Sequence, residues 1–410
     1  MSRASGGWPA GLICLALLPL PALAQEVKTG AGIGITVHGI IGATYYAQDA
    51  TFGLGNGQKA EFATAELRNA SGSRKWVHGG DVRNARLTLL LAGPEISRNG
   101  KWRANATLEM DFFGSFPGAT ATTSGGAFGD EQPQPRLRLA FADITNGRTT
   151  LRVGQDWSLT LGNIPVSASH IGFPLGWGSG GFIGWRFTQV RLIQVLSAAD
   201  APTTARLQLA ALKGSWSDEP AGADDQFSGG ERTLAPQFEG RFDFNGKAGK
   251  GTWGLYFVGH VDTKDSVLAG GEDLTSWATE AGGSVVSGRW SLYGNGHVGK
   301  GMAHQFAQIL QFGDIKGWGA WGQVGVNLNS SWSLWGYGGY EKPKADDVRA
   351  TFPTTNGRLH SLLLVPMLRY RSGPYTLGLE WLHSRVLNEL AGVQTTVTGN
   401  QVALSTRFDF

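Results

Sequence analysis

Apolar and polar residues alternate through most of the chain, so its pattern has a period of two. In Lys101–Asp111, Trp102, Ala104, Ala106, Leu108 and Met110 share one face, and Arg103, Asn105, Thr107, Glu109 and Asp111 share the other. Successive side chains of a strand point to opposite faces, so the stretch predicts a strand greasy on one side and polar on the other. Asp81–Ala92 alternates likewise, with Leu87, Leu89 and Leu91 against Asn84, Arg86 and Thr88. In Pro135–Asp143 the expected apolar face is Leu137, Leu139 and Phe141, and Arg136 and Arg138 stand opposite. Ile35–Tyr46, Leu151–Trp157 and the terminal Gln401–Phe410 extend the set; the last turns Val402, Leu404, Phe408 and Phe410 outward and Ser405, Arg407 and Asp409 inward.

The connections alternate too. Short turns fall at 94–100, 145–148, 197–202, 245–250, 287–288, 329–330 and 372–374. Long connections fall at 48–80 and near 114–134, 158–184, 214–235, 263–275, 299–315, 342–358 and 387–398. Seven short turns join fourteen strands, and the first and last strands bring the count to sixteen. No later stretch reaches the roughly 18 apolar residues that a transmembrane helix needs. In lipid every backbone amide must be paired, so a sheet there has to close on itself. An even strand number with short turns at one rim and long loops at the other fits an outer-membrane barrel. The expected fold is therefore all-β: a 16-stranded antiparallel transmembrane β-barrel over residues 35–410, with short periplasmic turns and long extracellular loops. Trp102, Trp253, Trp290, Trp332 and Tyr375 recur just after short turns, as an interfacial aromatic girdle would. A propeller would need four strands per repeat, and there is room for two.

One connection stands apart. Ser158 to Ile183 is 26 residues long and holds six Gly, two Pro and no Asp, Glu, Lys or Arg. Such a segment, hung on the hairpin Pro135–Trp157 with its Asn146-Gly147 turn, is expected to fold into the lumen. Residues 158–184 are accordingly read as a constriction loop narrowing a pore.

Composition narrows the setting. Residues 1–24 carry Arg3, an apolar run from Leu12 to Leu20 and Ala22-Leu23-Ala24, the layout of a signal peptide; residues 25–34 follow as a short periplasmic lead. Cys14, the only cysteine, lies in that signal, so disulfides and thiolate metal sites are excluded from the remainder. The net charge is +3, and losing Arg3 leaves +2, too little for a nucleic-acid partner.

Candidate chemistry is sparse. The eight His show no H-x-x-x-H or H-E-x-x-H spacing, so no metal site and no cofactor is predicted. Gly294–Lys300 resembles a phosphate loop, but Gly301 stands where Ser or Thr is needed, and a strand is the better reading. Ser158, Ser167, Ser169 and His170 near Asp156 form an imaginable hydrolase set, yet one loop seldom supplies a triad. Asp224-Asp225 and Asp346-Asp347 are acidic pairs on proposed outer loops; solvated charge is the favoured reading over a divalent cation shared with lipopolysaccharide.

Leu108-Glu-Met-Asp-Phe-Phe-Gly114, Arg136-Leu-Arg-Leu-Ala-Phe-Ala-Asp143, Val153-Gly-Gln-Asp-Trp-Ser158 and the terminal Phe410 resemble the Gram-negative general porins. Among these the chain is most similar to the dicarboxylate (DcaP-like) porins. The likeness covers about 80–195 and the C-terminus. It implies a sixteen-stranded homotrimer constricted by the loop after strand five. General porins usually place acids on that loop; here it has none.

Strand parity turns Arg86, Arg136, Arg138, Arg152 and Arg191 inward, with Glu109, Asp111 and Asp156 among them. These eight are the candidate pore-lining residues. Arg forks suit carboxylates and phosphates, and basic rings bias a pore toward anions. The alternative is that the arginines pair with these acids and stiffen the wall. The expected role is a water-filled diffusion pore for small hydrophilic solutes, leaning toward anions such as dicarboxylates. A barrel lipase or protease, or a plugged structural or adhesive barrel, are the rival readings.

Overall fold

In the computed structural model, residues 25–28, 33–97, 101–114, 133–214, 228–265 and 273–410 are described. The signal at 1–24, the pair Asp224-Asp225 and most of the connections near 114–134, 214–235 and 263–275 lie outside them.

Sixteen antiparallel staves form one sheet. They are β1 (Gly34–Gln48), β2 (Val77–Asp81 and Arg86–Glu95), β3 (Arg103–Gly114), β4 (Gln134–Thr145), β5 (Thr149–Trp157), β6 (Arg186–Val195), β7 (Thr203–Leu212) and β8 (Gln237–Ala248). β9 (Gly251–Asp265), β10 (Asp273–Ser287), β11 (Trp290–Lys300), β12 (Lys316–Asn327), β13 (Trp332–Pro343), β14 (Gly357–Ser372), β15 (Tyr375–Leu390) and β16 (Val393–Asp409) complete the circuit. β1 pairs with β16 from Ile40↔Asp409 to Gln48↔Gln401, so the sheet is a closed barrel without edges. Gln25–Lys28 is itself a strand, paired to β1 through Gln25↔Val37 and Lys28↔Gly34.

The period of two decides what each side meets. On β8, Phe238 and Phe242 are exposed on the outer face, while Glu239, Arg241 and Asp243 are buried inside. On β16, Val402, Leu404 and Phe408 face out and Ser405 is buried. Trp290, Trp332 and Tyr375 are exposed beside the short turns, where a girdle belongs. Gly294–Lys300 lies in β11.

Three expectations fail for local reasons. The connection at 387–398 is a two-residue turn: β15 runs to Leu390, β16 starts at Val393, and Ala391 and Gly392 take φ of 48° and 81°. Positive φ at both central residues is a type I′ hairpin. Second, the outward face of β4 does not hold. Its register to β3 passes from Met110↔Leu137 to Glu109↔Leu139, which leaves Arg138 as an extra residue. A bulge reverses the parity beyond it, so Leu139 is buried inside. Phe141 follows it inward, with the Arg152 guanidinium 3.7 Å from its ring centre. Gln155 Nε2 donates to the Arg138 carbonyl at the bulge (2.9 Å). Third, the second stave is not continuous. It breaks at 82–85, where Asn84 and Arg83 turn into the lumen.

Candidate solute passage

The segment 158–184 folds into the barrel and packs against its far wall. Phe173, Leu175, Trp177 and Phe182 from the segment share one apolar core with Phe113 of β3, Trp321 of β12, Tyr337 of β13, Leu363 and Val365 of β14 and Leu382 of β15. Trp177, 0 % exposed, is at its centre. Its ring stacks on Phe306 at 4.6 Å and lies 5.0 Å from Trp185 and 5.2 Å from Phe173. The glycines permit the approach. At Gly181, with φ of 79°, a Cβ would sit 2.4 Å from the Ala320 backbone nitrogen, and at Gly176, φ 83°, a Cβ would meet the Tyr337 hydroxyl at 1.9 Å.

A buried loop must satisfy its main chain, and the charges it lacks are on the wall. Arg86 donates to the Ile171 carbonyl (2.9 Å) and Arg138 to that of Gly172 (3.0 Å). Arg241 donates to the carbonyls of Leu159 (3.0 Å) and Leu161 (2.8 Å). Glu380 accepts from Ser167 Oγ (2.6 Å) and Ser169 N (2.7 Å). Glu61, from the connection after β1, accepts from Gly176 N (2.9 Å) and Ser179 Oγ (2.8 Å); burial holds its carboxyl well above the usual range. Gln323 brackets Val166, accepting from its N–H and donating to its carbonyl, both at 2.7 Å.

The eight parity-assigned residues fall into two connected groups. Arg136 forks onto Asp111 at 3.0 and 2.7 Å. Arg138, 2 % exposed, bridges Glu109 and Asp111 at 2.7 Å each. Arg86 stands 3.7 Å from Glu109. In the second group Arg152 forks onto Asp143 (2.8 Å) and reaches Asp156 (2.6 Å), which Arg191 approaches at 3.2 Å. Arg136 keeps 23 % of its side chain accessible, the largest share among the five arginines for which ion pairs occur here.

Sequence parity misses three further cations. The connection after β1 folds inward through the short strands Ala50–Phe52 and Ala63–Glu66 and the 3₁₀ turn Gly57–Lys59. That turn brings the Lys59 ammonium 4.9 Å from the Phe113 ring centre, where Arg83 stands at 5.1 Å and Arg136 at 5.5 Å. Burial, then Arg83 and Arg136, pull the Lys59 pKa down to about 8. Arg186 opens β6 with its guanidinium over Trp185 (4.6 Å) and Trp157 (5.0 Å); among the described residues it forms no ion pair. Arg83 itself is forked onto Asp81. Four cations, Lys59, Arg83, Arg136 and Arg186, thus face two carboxylates, Asp81 and Asp111. Toward the short-turn rim a cavity of about 410 Å³ is lined by Arg241, Arg369 and Arg371 against the single acid Asp243, with Asn163, Tyr256 and Trp335.

The remaining candidates have other partners. Ser169 Oγ lies 2.8 Å from His170 Nδ1, but His170 Nε2 meets the Ala60 carbonyl at 2.8 Å and both side chains are buried. Burial also lowers the His170 pKa. Asp156 serves Arg152 and Arg191. Asp347 pairs with Lys344 (2.9 Å) and Asp346 with Arg349 (3.2 Å).

No protein-family model and no curated protein matches the chain. Among solved structures it is similar to the outer membrane channel DcaP of Acinetobacter baumannii, with a TM-score of 0.70 at 16 % identity over 94 % of this chain and 99 % of that one. The fold is that of the outer-membrane porins. An anion-selective porin from Comamonas acidovorans gives a TM-score of 0.54 at 14 % identity, covering 92 % of this chain and 100 % of its own. Pseudomonas putida OprB gives 0.55 at 11 % identity, covering 92 % and 94 %.

Proposed function

We propose that this porin-fold barrel is an outer-membrane channel for small hydrophilic solutes that favours anions, dicarboxylates among them. The observation carrying this reading is the cation excess around the aromatic side chains of the lumen: Lys59, Arg83 and Arg136 at Phe113 and Arg186 over Trp157, against Asp81 and Asp111. Fixed positive charge in a low-dielectric throat raises local anion concentration. The basic cavity at the short-turn rim extends the same bias. The apolar exterior suits contact with lipid and lipopolysaccharide, and the similar porins include a trimer form of Vibrio cholerae OmpT, so a homotrimer is the proposed assembly.

The test is reversal potential under a salt gradient in planar bilayers, read alongside conductance steps. Anion preference should shrink in Arg136→Ala; cation preference in the wild type, or no change in the variant, refutes the reading. The apolar core inside the lumen favours a second reading, a sealed structural barrel. That protein would insert without conducting.

A further inference from the structure

On the wall of β9 near the long-loop rim, three potential ligand atoms converge away from the cation cluster at Phe113. His260 and Asp262 alternate onto the inner face of β9, and His304 comes from the 301–315 connection. One ligand atom from each lies within 4.8 Å of the others, and all three residues are buried. Asp262 Oδ2 stands 3.6 Å from His260 Nε2 and 3.4 Å from His304 Nε2. These separations are long for hydrogen bonds. They match the edge of a tetrahedron whose centre-to-vertex bonds are about 2.0–2.1 Å, an edge of about 3.3–3.4 Å. His260 Nε2 and Asp262 Oδ2, both buried, have no hydrogen-bond partner among the described residues. The amide oxygen of Gln237, 3.0 Å from His304 Nε2, is on hand as a fourth donor.

The surroundings fit a cation. His260 turns its other nitrogen to Glu239 Oε1 at 2.9 Å, the carboxylate–histidine–metal arrangement that orients a ligating imidazole. Lys264 engages Asp262 through Oδ1, leaving Oδ2 directed at the imidazoles. With neutral histidines, Asp262, Glu239 and Lys264 sum to −1. Two imidazole nitrogens with a carboxylate and an amide oxygen suit a divalent transition metal of the zinc class.

We propose that His260, Asp262 and His304, with the Gln237 carboxamide oxygen, form a structural Zn²⁺-class site. Loading it displaces any proton carried by the ligating imidazole nitrogens, so binding weakens in acid. The site ties the 301–315 connection to the wall. That connection braces both ends of the inward segment: Gln305 Oε1 accepts from Ser158 Oγ and Thr160 Oγ1 at 2.7 Å each, and its carbonyl accepts from Gly184 N at 2.8 Å. The inference is independent of what the barrel conducts.

The experiment uses the full chain, folded in detergent, stripped with a chelator and titrated with Zn²⁺ and separately with Co²⁺. One equivalent of Zn²⁺ per chain and the intense visible bands of tetrahedral Co²⁺ are expected. Asp262→Asn and His304→Gln should each weaken binding at least tenfold with the sheet's circular dichroism intact, while His78→Gln leaves it unchanged. Should either variant fail to fold, the wild-type stoichiometry and Co²⁺ spectrum still decide. Substoichiometric zinc, a Co²⁺ spectrum like that of the hydrated ion, or full binding by both variants overturns the site; a cluster held by protons alone gives the first two results.

Discussion

Trp177→Ala removes the centre of the core that fixes the inward segment to the far wall. Trp177 is 0 % exposed, packs on Phe306, Trp185 and Phe173, and donates Nε1–H to the Gly184 carbonyl at 2.7 Å. Truncating a buried Trp to Ala costs about 3–5 kcal/mol. The barrel's strand ladders do not involve this residue, so the loss falls on the equilibrium between docked and released segment. At about 1.4 kcal/mol per tenfold, that is roughly two to three and a half powers of ten in the released population. Trp177→Phe keeps most of the ring contact and loses one hydrogen bond, a net loss of about 0.5–1.5 kcal/mol. The assay pairs planar-bilayer conductance with limited proteolysis of 158–184, and circular dichroism reports the sheet. The alanine variant should conduct in larger, noisier steps and be cut within the segment, with the phenylalanine variant between it and wild type. An alanine variant with an intact barrel, unchanged conductance and unchanged resistance to protease would refute the reasoning.

Lys59 makes the anion preference depend on pH. Its pKa is depressed to about 8, so the ammonium is present below that value and lost as pH rises through it. Reversal potentials should therefore lose part of their anion bias between about pH 7 and 9, and Lys59→Met should flatten that profile. The same depression makes stability rise between about pH 8 and the ordinary lysine range, because there the unfolded chain holds a proton that the folded one does not; chemical denaturation at two pH values checks the sign. Arg138→Ala should act differently from Arg136→Ala. It takes one guanidinium from both Glu109 and Asp111, which are buried and keep only Arg86 and Arg136. Fully breaking such a buried pair costs about 3–5 kcal/mol, so this partial loss should be smaller, read as a fall in the denaturation midpoint. Gly181→Val puts a branched side chain against the Ala320 backbone at a φ of 79°, so the segment should lose its protease resistance.

The sequence made the barrel legible because lipid and water leave a strand one choice per residue. Phe238 and Phe242 against Glu239 and Arg241 is a pattern that needs no partner strand to interpret. The inward course of 158–184 was legible from its missing charge, and its glycines proved to be the points of contact with the wall. Pairwise register was not legible. The Arg138 bulge that carries Leu139 and Phe141 inside leaves no local mark, since Arg-Leu-Arg-Leu reads as unbroken alternation. Lys59 and Arg83 were hidden differently: Lys59 within a long polar connection that buries Ala60 and Phe62 inside the barrel, Arg83 in the 82–85 break of a stave that reads as continuous. The turn at Ala391-Gly392 was masked by polar residues on both arms, where the strands rise past the apolar belt.

Burial sorts the arginines into two kinds of work. Arg138 is enclosed by two carboxylates and a loop carbonyl that take its Nε and Nη1 donors, and it is 2 % exposed, so little of it meets a passing solute. A guanidinium in that state fixes geometry: it holds Gly172, and through Gly172 the position of the neighbouring Phe173. Arg136 shares Asp111 but keeps part of its surface open beside Phe113 and Phe173. Its charge is half-compensated and reaches the lumen. The acid–base pairs that lock the segment are thus the same ones that leave a residue of positive charge at its edge. A general porin sets acids on the loop against bases on the wall; here the wall supplies both signs, and the loop supplies only shape and main-chain dipoles. Any field felt by a solute must then come from the wall and from Lys59, which is why substitutions at Arg136 and Lys59, rather than within 158–183, are the ones that should change selectivity.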